Sequence, residues 1–345
     1  MPLVEPRSTD VDAAQLHANA VVIDALTTSR LTSEQASRMR AGGVTATNHT
    51  AANFAHHFDD AVVDIVNTRR QIAAQPNDFL LIEQVADLDR ANASGIPGVM
   101  LGLQNALPIE DRLQYADVLY ALGIRIVQLT YNDRNFVGDG CTEPDNAGLS
   151  VFGRSLVSHL NELGILIDLS HCGYQTTTDA ILASNAPVAI THANPLTLSP
   201  SPRNKPDEVI KLLGERDGFL GVCVWSPLAH RNRNQRPQLS DILDFIDYIV
   251  ELIGVDHVGI GTDHGEGVYT QDAWDAKWGP KGLYPSVTGT LGEWYGFHAR
   301  YAEGLDSATL FPNLTAGLLD RGYSPDDVLK IVGGNFRRLL TNVWK

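Results

Sequence analysis

The segment ILIDLSHCGYQTTTDAILASNAPVAITH, residues 165–192, decides the fold class. Its first part (165–171) and its last part (187–192) are short apolar runs rich in β-branched residues, which predicts two buried strands. The stretch between them, 174–184, predicts a helix. Apolar strands that are joined by a helix and buried on both faces are typical of a parallel sheet.

The same strand–helix unit recurs on both sides of this segment. Further strands are predicted at AVVIDAL (20–26), GVTATNH (43–49), GVMLGLQ (98–104), IRIVQLTYN (124–132), FLGVCVW (219–225) and HVGIGTD (257–263). Eight strands of this spacing, each followed by a helix, indicate a closed (β/α)8 barrel of the TIM type. The alternative is an open doubly wound sheet, but no GxGxxG motif follows the first strand.

We therefore predict a single α/β barrel domain over residues 1–345. The segment 264–304 is rich in Gly, Trp and Tyr, and we interpret it as a long insertion after the eighth strand that caps the barrel mouth. Its aromatic side chains are more than a surface loop needs and indicate a lid or an interface. Residues 306–341 are interpreted as C-terminal helices, with Ser324 as an N-cap and Pro325 at the first helical position.

The composition excludes several classes of partner. A net charge of −15 argues against nucleic acid, because phosphate backbones select basic surfaces. The start, MPLVEPRSTD, lacks the regions of a signal peptide, and no apolar run approaches the ~20 residues of a membrane helix. The cysteines Cys141, Cys172 and Cys223 form no CxxC pair, which argues against disulfides and a Cys-based zinc site. We expect a cytoplasmic protein without a membrane partner.

Polar side chains stand where the predicted strands end, and barrels of this kind carry their chemistry at that end. His171 and His192 end two successive strands, and Asp263 ends the eighth. Adjacent parallel strands lie ~5 Å apart, so two imidazoles can bind one ion. A carboxylate beside them can take a proton from water. The pattern indicates a metal site; the alternative is two histidines that only hydrogen-bond at the barrel rim.

Five further residues are candidates for the site. Arg203 follows the sixth strand and can bind a substrate carboxylate through its guanidinium, or else anchor the loop in an ion pair. Tyr131 can donate to a developing oxyanion or simply cover the barrel end. Asn132, Gln104 and His49 also stand at strand ends, where contact with substrate or metal is expected.

Several motifs resemble one known family. They are DLSH (168–171), ITHANP (190–195), PRNKPDEVI (202–210), HVGIGTD (257–263) and GGNFRRLL (333–340). In this order they resemble the membrane (renal-type) dipeptidase family of the amidohydrolase superfamily, peptidase family M19, over about residues 15–341. The resemblance implies a (β/α)8 barrel, commonly a homodimer, with metal at the barrel mouth.

The resemblance also implies roles for four residues that match the family pattern. Typical members bind two zinc ions, and the two histidines that hold one of them match His171 and His192. The catalytic aspartate on the eighth strand matches Asp263. The arginine that binds the substrate carboxylate matches Arg203.

The rest of the family's metal set is absent. A His-x-Asp pair usually ends the first strand, but Leu26 and Thr28 stand there. Gln104 replaces the glutamate that bridges the two ions, and Tyr131 replaces a histidine that steadies the tetrahedral intermediate. The chain is similar to a divergent branch of the family in which the first ion has lost its ligands.

The sequence therefore predicts a metal-dependent hydrolase that cleaves an amide or peptide-type C–N bond in a small substrate bearing a carboxylate. The predicted residues are the metal ligands His171, His192 and Gln104, the catalytic Asp263 and Tyr131, and the substrate contacts Arg203, Asn132 and His49. The cofactor is one divalent ion, with Zn²⁺ expected, or none. Two alternatives stay open: a lyase or isomerase acting on a small carboxylate or betaine, and a metal-free pseudoenzyme.

Overall fold

The structure is a computed structural model that describes residues 12–345. Nine strands form the centre of the molecule. The starting segment MPLVEPRSTD, for which we predicted no signal peptide, lies outside the described residues. The strands are β1 (Val22–Thr27), β2 (Val44–Thr50), β3 (Leu80–Ile82), β4 (Gly98–Leu103), β5 (Ile124–Gln128), β6 (Leu166–Asp168), β7 (Ala189–Ala193), β8 (Phe219–Val222) and β9 (Val258–Ile260).

Eight of these strands follow one another around a nearly closed parallel barrel. The order is β1-β2-β4-β5-β6-β7-β8-β9, and each neighbouring pair is parallel. The predicted (β/α)8 barrel and its eight strands are confirmed. The short β3 was not predicted, and it pairs with β4.

Helices cover the outside of the barrel and extend over both of its ends. They are α1 (Ala13–Ala18), α2 (Ser33–Ala41), α3 (Phe58–Ala73), α4 (Ala86–Ser94), α5 (Leu113–Ala121), α6 (Val151–Leu163), α7 (Tyr174–Ala183), α8 (Asp207–Glu215), α9 (Ser226–Ala229), α10 (Leu239–Ile253), α11 (Gln271–Trp278), α12 (Pro285–Thr288), α13 (Phe311–Asp320), α14 (Pro325–Leu329) and α15 (Asn335–Val343). Within residues 12–345, none of the helices is long and apolar enough to span a membrane.

Local sequence explains where individual helices begin and end. Ser150 precedes α6 and its hydroxyl accepts from the N–H of Gly153, which is the expected N-cap geometry. Gly164 ends α6 with φ 74°, a left-handed conformation that favours glycine. The predicted Ser324 cap is present before α14, where its hydroxyl accepts from the N–H of Asp327.

One end of the barrel is closed by the C-terminal helix. Apolar side chains from β1, β2, β4, β5, β6, β7 and β8 form a cluster with side chains of α15. Phe219 of β8 packs against Phe336 of α15, with ring centroids 5.0 Å apart. The opposite end, where the strands finish, is left for the site.

Backbone hydrogen bonds join the first and last strands. The N–H of Asp263 donates to the carbonyl oxygen of Leu26 at 3.0 Å, and the N–H of Thr28 donates to that of His264 at 2.7 Å. The carboxylate of Asp24 adds a side-chain link, since it accepts from the N–H and hydroxyl of Thr262 at 2.8 and 2.5 Å. Asp24 is therefore interpreted as a structural carboxylate that closes the barrel.

Replacing Asp24 by alanine is expected to lower the free energy of unfolding by about 2–5 kcal/mol. The backbone N–H groups of Leu26 and Thr262 both donate to Asp24 and would lose their acceptor in a buried site. Urea unfolding followed by circular dichroism measures the change.

Asp24→Asn is the matched control, because the amide oxygen can still accept from both N–H groups. Burial raises the pKa of Asp24 from 3.8 to about 7. In this interval the unfolded chain ionises the carboxyl while the folded protein keeps it protonated, so the free energy of unfolding falls as the pH rises. The asparagine variant should lose this part of the pH dependence. Equal stabilities for the alanine and asparagine variants would contradict the interpretation.

Candidate active site

A cavity of about 410 Å³ opens at the C-terminal ends of the barrel strands. Its polar lining includes Asp64, Gln104, Asn132, His171, Arg203, Asp263 and Lys277. Its aromatic lining consists of Phe54, Tyr131, Trp225, Tyr269, Trp274, Trp278, Tyr284 and Tyr301. A concave, aromatic cavity with a few convergent polar groups is typical of a small-molecule site.

Two histidines meet at the base of the site: His171 lines the cavity, and His192 lies buried behind it, outside the lining. The Nε2 atoms of His171, after β6, and His192, on β7, lie 3.0 Å apart. The carboxamide Nε2 of Gln104, after β4, lies 3.4 Å from the Nε2 of His192, and its oxygen accepts from the hydroxyl of Thr50. The three residues stand at the C-terminal ends of β4, β6 and β7, on the same rim of the barrel, so the parallel sheet itself brings them together.

Hydrogen bonds at the other ring nitrogens fix the tautomer of both histidines. The Nδ1 of His171 lies 2.7 Å from the amide oxygen of Asn132, which can only accept. The Nδ1 of His192 lies 2.8 Å from the hydroxyl oxygen of Thr191. That hydroxyl donates its hydrogen bond to Asp168 at 2.7 Å, so toward Nδ1 it can only accept. Both Nδ1 atoms therefore carry the proton, and both Nε2 atoms present a lone pair to the same point.

The electrostatic surroundings keep both imidazoles neutral. Burial, followed by the positive charge of Arg203, holds the pKa of His171 and of His192 well below the ordinary value. Burial, with a smaller contribution from the charge of Arg203, also lowers the pKa of Lys205 to about 8. Neutral imidazole with Nδ1 held by an oxygen is the usual form of a metal-ligating histidine.

Arg203 reaches the same point from the loop after β7. Its Nη2 donates to the Nε2 of His171 at 2.8 Å, and its Nη1 donates to the carbonyl oxygen of Ser170 at 2.8 Å. The side chain is 1% exposed, and its Nε has no hydrogen-bond partner. None of the ion pairs in residues 12–345 includes Arg203, so the loop-anchoring ion pair considered above is not formed.

Asp263 faces the cavity from the loop after β9. Its φ of 57° lies in the left-handed region, which Asp tolerates better than most residues. Burial raises the pKa of its carboxyl to about 7, against the opposing effect of the Arg203 charge. A carboxyl with a pKa near neutrality can exchange a proton with substrate or water at physiological pH.

Tyr131 lies in a stack of three rings. Its ring centroid is 4.0 Å from that of Phe54 on one side and 4.0 Å from that of His171 on the other. Burial, and after it the charge of Asp263, raises the pKa of its hydroxyl above the ordinary value. The hydroxyl stays protonated and can donate a hydrogen bond.

The donor set fits one metal ion and not two. Two convergent imidazole lone pairs, each with a fixed tautomer, are two ligands of a metal site. In the described part of the chain, no group of three His, Cys, Asp or Glu residues is placed to hold an ion. The nearby amide of Gln104 turns its nitrogen toward His192 while its oxygen accepts from Thr50, so it would serve as a third donor only after the amide turns over. Leu26 is buried and apolar, and the hydroxyl of Thr28 donates to the carbonyl oxygen of His264, so these two positions offer a second ion neither an imidazole nor a carboxylate.

His49 is not among the residues that line the cavity. Side chains alternate along β2, and Thr50 is one that reaches the lining, so His49 points to the helix side of the strand. Burial lowers its pKa to about 4, and its Nδ1 has no partner. This placement does not support the predicted substrate contact. Asn132 lines the cavity, but its amide oxygen is engaged by His171.

The segment 264–304 contributes α11 and α12 to the mouth of the cavity. Trp274 and Trp278 of α11 line it. The ammonium of Lys277 lies 4.9 Å from the ring centroid of Phe54 and 5.1 Å from that of Trp278, within the range of a cation–π contact. The sequence did not point to Lys277, Phe54 or Thr191. Lys277 and Phe54 reach the site through the packing of loops, and Thr191 acts through its hydroxyl group, and neither feature leaves a recognisable motif.

Comparison with known proteins identifies the family to which the chain is similar. A sequence model of the membrane dipeptidase family (peptidase family M19) matches residues 8–280. Among curated proteins, dipeptidase aclJ of Aspergillus oryzae is 29% identical over 81% of this chain, and dipeptidase verJ of Clonostachys rogersoniana is 27% identical over 90%. The matched region spans 60% of the Aspergillus protein and 75% of the Clonostachys protein.

Solved structures extend the similarity over nearly the whole chain. An amidohydrolase from Pseudomonas aeruginosa is 35% identical, with a TM-score of 0.87 over 97% of this chain and 99% of that one. A metallo peptidase from Rhodobacter sphaeroides, solved with a phosphinate mimic of the dipeptide L-Ala-D-Ala, shares the fold at 20% identity and a TM-score of 0.76, covering 94% and 99%. The family model covers well over half of the sequence, and this chain belongs to the membrane dipeptidase family, peptidase family M19.

Proposed function

We propose that the protein is a metal-dependent hydrolase that cleaves an amide or peptide-type C–N bond in a small substrate bearing a carboxylate. The observation that carries the proposal is a cavity lined by His171, Arg203 and Asp263, with the neutral imidazole of His192 directed at the Nε2 of His171 from behind. The family membership supports the same reaction class.

His171 and His192 would hold the ion. Gln104 would add a weak third ligand by turning its amide oxygen, which here accepts from Thr50, toward His192 in place of its nitrogen. Zinc suits a set of nitrogen donors. When bound, a divalent ion supplies Lewis acidity that polarises the scissile carbonyl and makes water more acidic. Because a neutral amide stands where an anionic ligand would be, the affinity for the ion is lower than with a glutamate at this position.

Asp263 is the general base. Its carboxylate accepts a proton from the water that attacks the carbonyl carbon, and returns it to the amine nitrogen as the C–N bond breaks. The carbonyl carbon gains one oxygen from water and becomes a carboxylic acid, while the leaving nitrogen becomes a free amine. The pKa of about 7 is suited to both transfers.

Two other side chains orient the substrate and stabilise charge. Arg203 binds the substrate carboxylate, since a guanidinium is matched to two carboxylate oxygens. Tyr131 donates from its neutral hydroxyl to the oxygen that gains negative charge during attack. Asn132 is a positioning residue, because it keeps the Nδ1 of His171 protonated.

Dipeptides are the substrates to test first. The curated relatives are named dipeptidases, and the Rhodobacter protein was solved with a dipeptide mimic. The cavity volume of about 410 Å³ suits a molecule of that size. The homodimer and the cytoplasmic location stay predictions from the sequence.

A lyase or isomerase on the same scaffold is the second candidate. The contact of Arg203 with His171 favours it, because a cation already satisfies one of the two imidazole lone pairs. The loss of the His-x-Asp pair, with Leu26 and Thr28 in its place, favours it as well.

Incubation of zinc-loaded protein with dipeptides and N-acyl amino acids in ¹⁸O-water separates the two candidates. Hydrolysis is expected to place one ¹⁸O atom in the new carboxyl group of the product, which mass spectrometry detects. Protein treated with a chelator is the control. Turnover that yields products without the label would refute hydrolysis and favour the second candidate.

A further inference from the structure

We infer that Arg203 and the metal ion compete for the Nε2 of His171, so that metal binding and substrate carboxylate binding promote each other. The inference rests on the proposed function for the presence of a metal, and it adds a coupling between the two ligands. Arg203 has two alternative partners: His171, which it contacts in this structure, and the substrate carboxylate, which it would bind once an ion occupies the Nε2 of His171.

The first half of the argument is the single lone pair on His171. Its Nδ1–H donates a hydrogen bond to the amide oxygen of Asn132, so its Nε2 keeps a single lone pair and can bind one positive group only. The Nη2 of Arg203 occupies that position at 2.8 Å. A metal ion at the Nε2 of His171 must displace this N–H, and the two cations would also repel each other at that distance.

The second half is the unused capacity of the guanidinium. The Nε of Arg203 is buried without a partner, and it lies on the same edge of the guanidinium as Nη2. When Nη2 leaves His171, this edge offers two parallel N–H groups, the arrangement that a carboxylate fills with two hydrogen bonds. Nη1 can stay on the carbonyl oxygen of Ser170 throughout and keep the side chain in place.

The surrounding charges strengthen the coupling. Lys205 is a second buried cation in the same loop, and its Nζ donates to the carbonyl oxygen of Cys172 and the hydroxyl of Thr177. Asp263 is the acidic side chain whose pKa Arg203 lowers, but it forms no ion pair with it. A substrate carboxylate would therefore neutralise an excess of positive charge beside the metal ligands and so favour metal binding. A bound ion would favour carboxylate binding to the same extent.

Zinc titration of the metal-free protein by calorimetry, with a competing chelator, tests the competition. We expect Arg203→Met to bind Zn²⁺ roughly 5–150-fold more tightly than the wild type, the usual range of a coupling between two sites. Arg203→Lys keeps the charge and should gain less. Arg203→Gln is a second neutral variant in case the methionine variant does not fold, which thermal melting of each variant decides.

Propionate, a carboxylate without a chelating group, tests the second half. It should tighten zinc binding by the wild type and have little effect on Arg203→Met or Arg203→Gln. Coupling of the same size in the neutral variants would mean that propionate binds the ion directly, which would overturn the role of Arg203.

The outcomes separate this inference from the proposed function. Equal zinc affinity in all variants overturns the competition and leaves the hydrolase proposal standing. The expected zinc affinities without any hydrolysis support the competition and count against the hydrolase. Failure of every variant to bind zinc overturns both.

Discussion

Replacing Asp263 by asparagine is expected to lower kcat/KM by about 10²–10⁴-fold, the usual contribution of a positioned general base. The amide has nearly the same shape as the carboxylate but cannot accept the proton from water. Since Asp263 makes no ion pair in the described residues, its replacement removes no structural contact of that kind. Steady-state kinetics on a dipeptide or N-acyl amino acid that the wild type hydrolyses measures the change.

The pH profile gives the same assignment independently. Asp263 must be ionised to act, so kcat/KM of the wild type should fall about tenfold per pH unit below its pKa. Burial raises that pKa to about 7, and a bound cation would lower it, so the acid limb should lie at or below pH 7. The asparagine variant should lose this limb.

Asp64→Asn is a matched control, since Asp64 also lines the cavity. Its carboxylate accepts from the N–H of Asn53 and from His56, and we assign it no role in the reaction. Only a small change in kcat/KM is expected. Turnover by Asp263→Asn at the wild-type rate would show that another group is the base.

The fold was predictable because its signals are local. Most barrel strands are apolar runs, and each strand is followed by a helical period. The strand β3 was missed because three residues are shorter than a recognisable run. Helix α4 was missed because it buries Asp87, which accepts from the N–H groups of Glu83 and Gln84. A polar residue used as an internal acceptor removes the amphipathic pattern.

The C-terminal region differs from a simple pair of helices for a tertiary reason. Between α14 and α15, residues Lys330–Gly334 form a π-helical turn. Gly333 lies against the start of β1, where a Cβ atom would be 2.0 Å from the carbonyl oxygen of Val21. This close approach to the barrel depends on packing that no short window of sequence encodes.

The site was predictable as a set of strand ends, but not as a set of contacts. The topology of a parallel barrel brings Gln104, His171 and His192 together whatever the loops do. The contact of Arg203 with His171 and the stacking of Phe54 on Tyr131 depend on how loops pack, which the sequence does not specify. The face of His49 was ambiguous because β2 is buried on both sides.

Replacing both His171 and His192 by alanine is expected to abolish metal binding and to reduce hydrolysis to the background rate. Protein purified without chelator and supplied with zinc should carry about one ion per chain in the wild type and none in the double variant. Elemental mass spectrometry measures the content. Both side chains are buried, so thermal melting must first show that the variant folds.

Thr191→Val tests the same site by a smaller change, which leaves both proposed metal ligands in place. Valine has the shape of threonine but cannot accept the Nδ1 proton of His192, so this ring loses the partner that fixes its tautomer. Loss of such a partner typically costs 10–100-fold in metal affinity, and we expect roughly this reduction with the ligands intact. His57→Ala, at an exposed histidine on a neighbouring loop, should leave the metal content unchanged. Metal retained by the double variant would mean that the ion binds elsewhere, and a wild type that binds no zinc would refute the hydrolase itself.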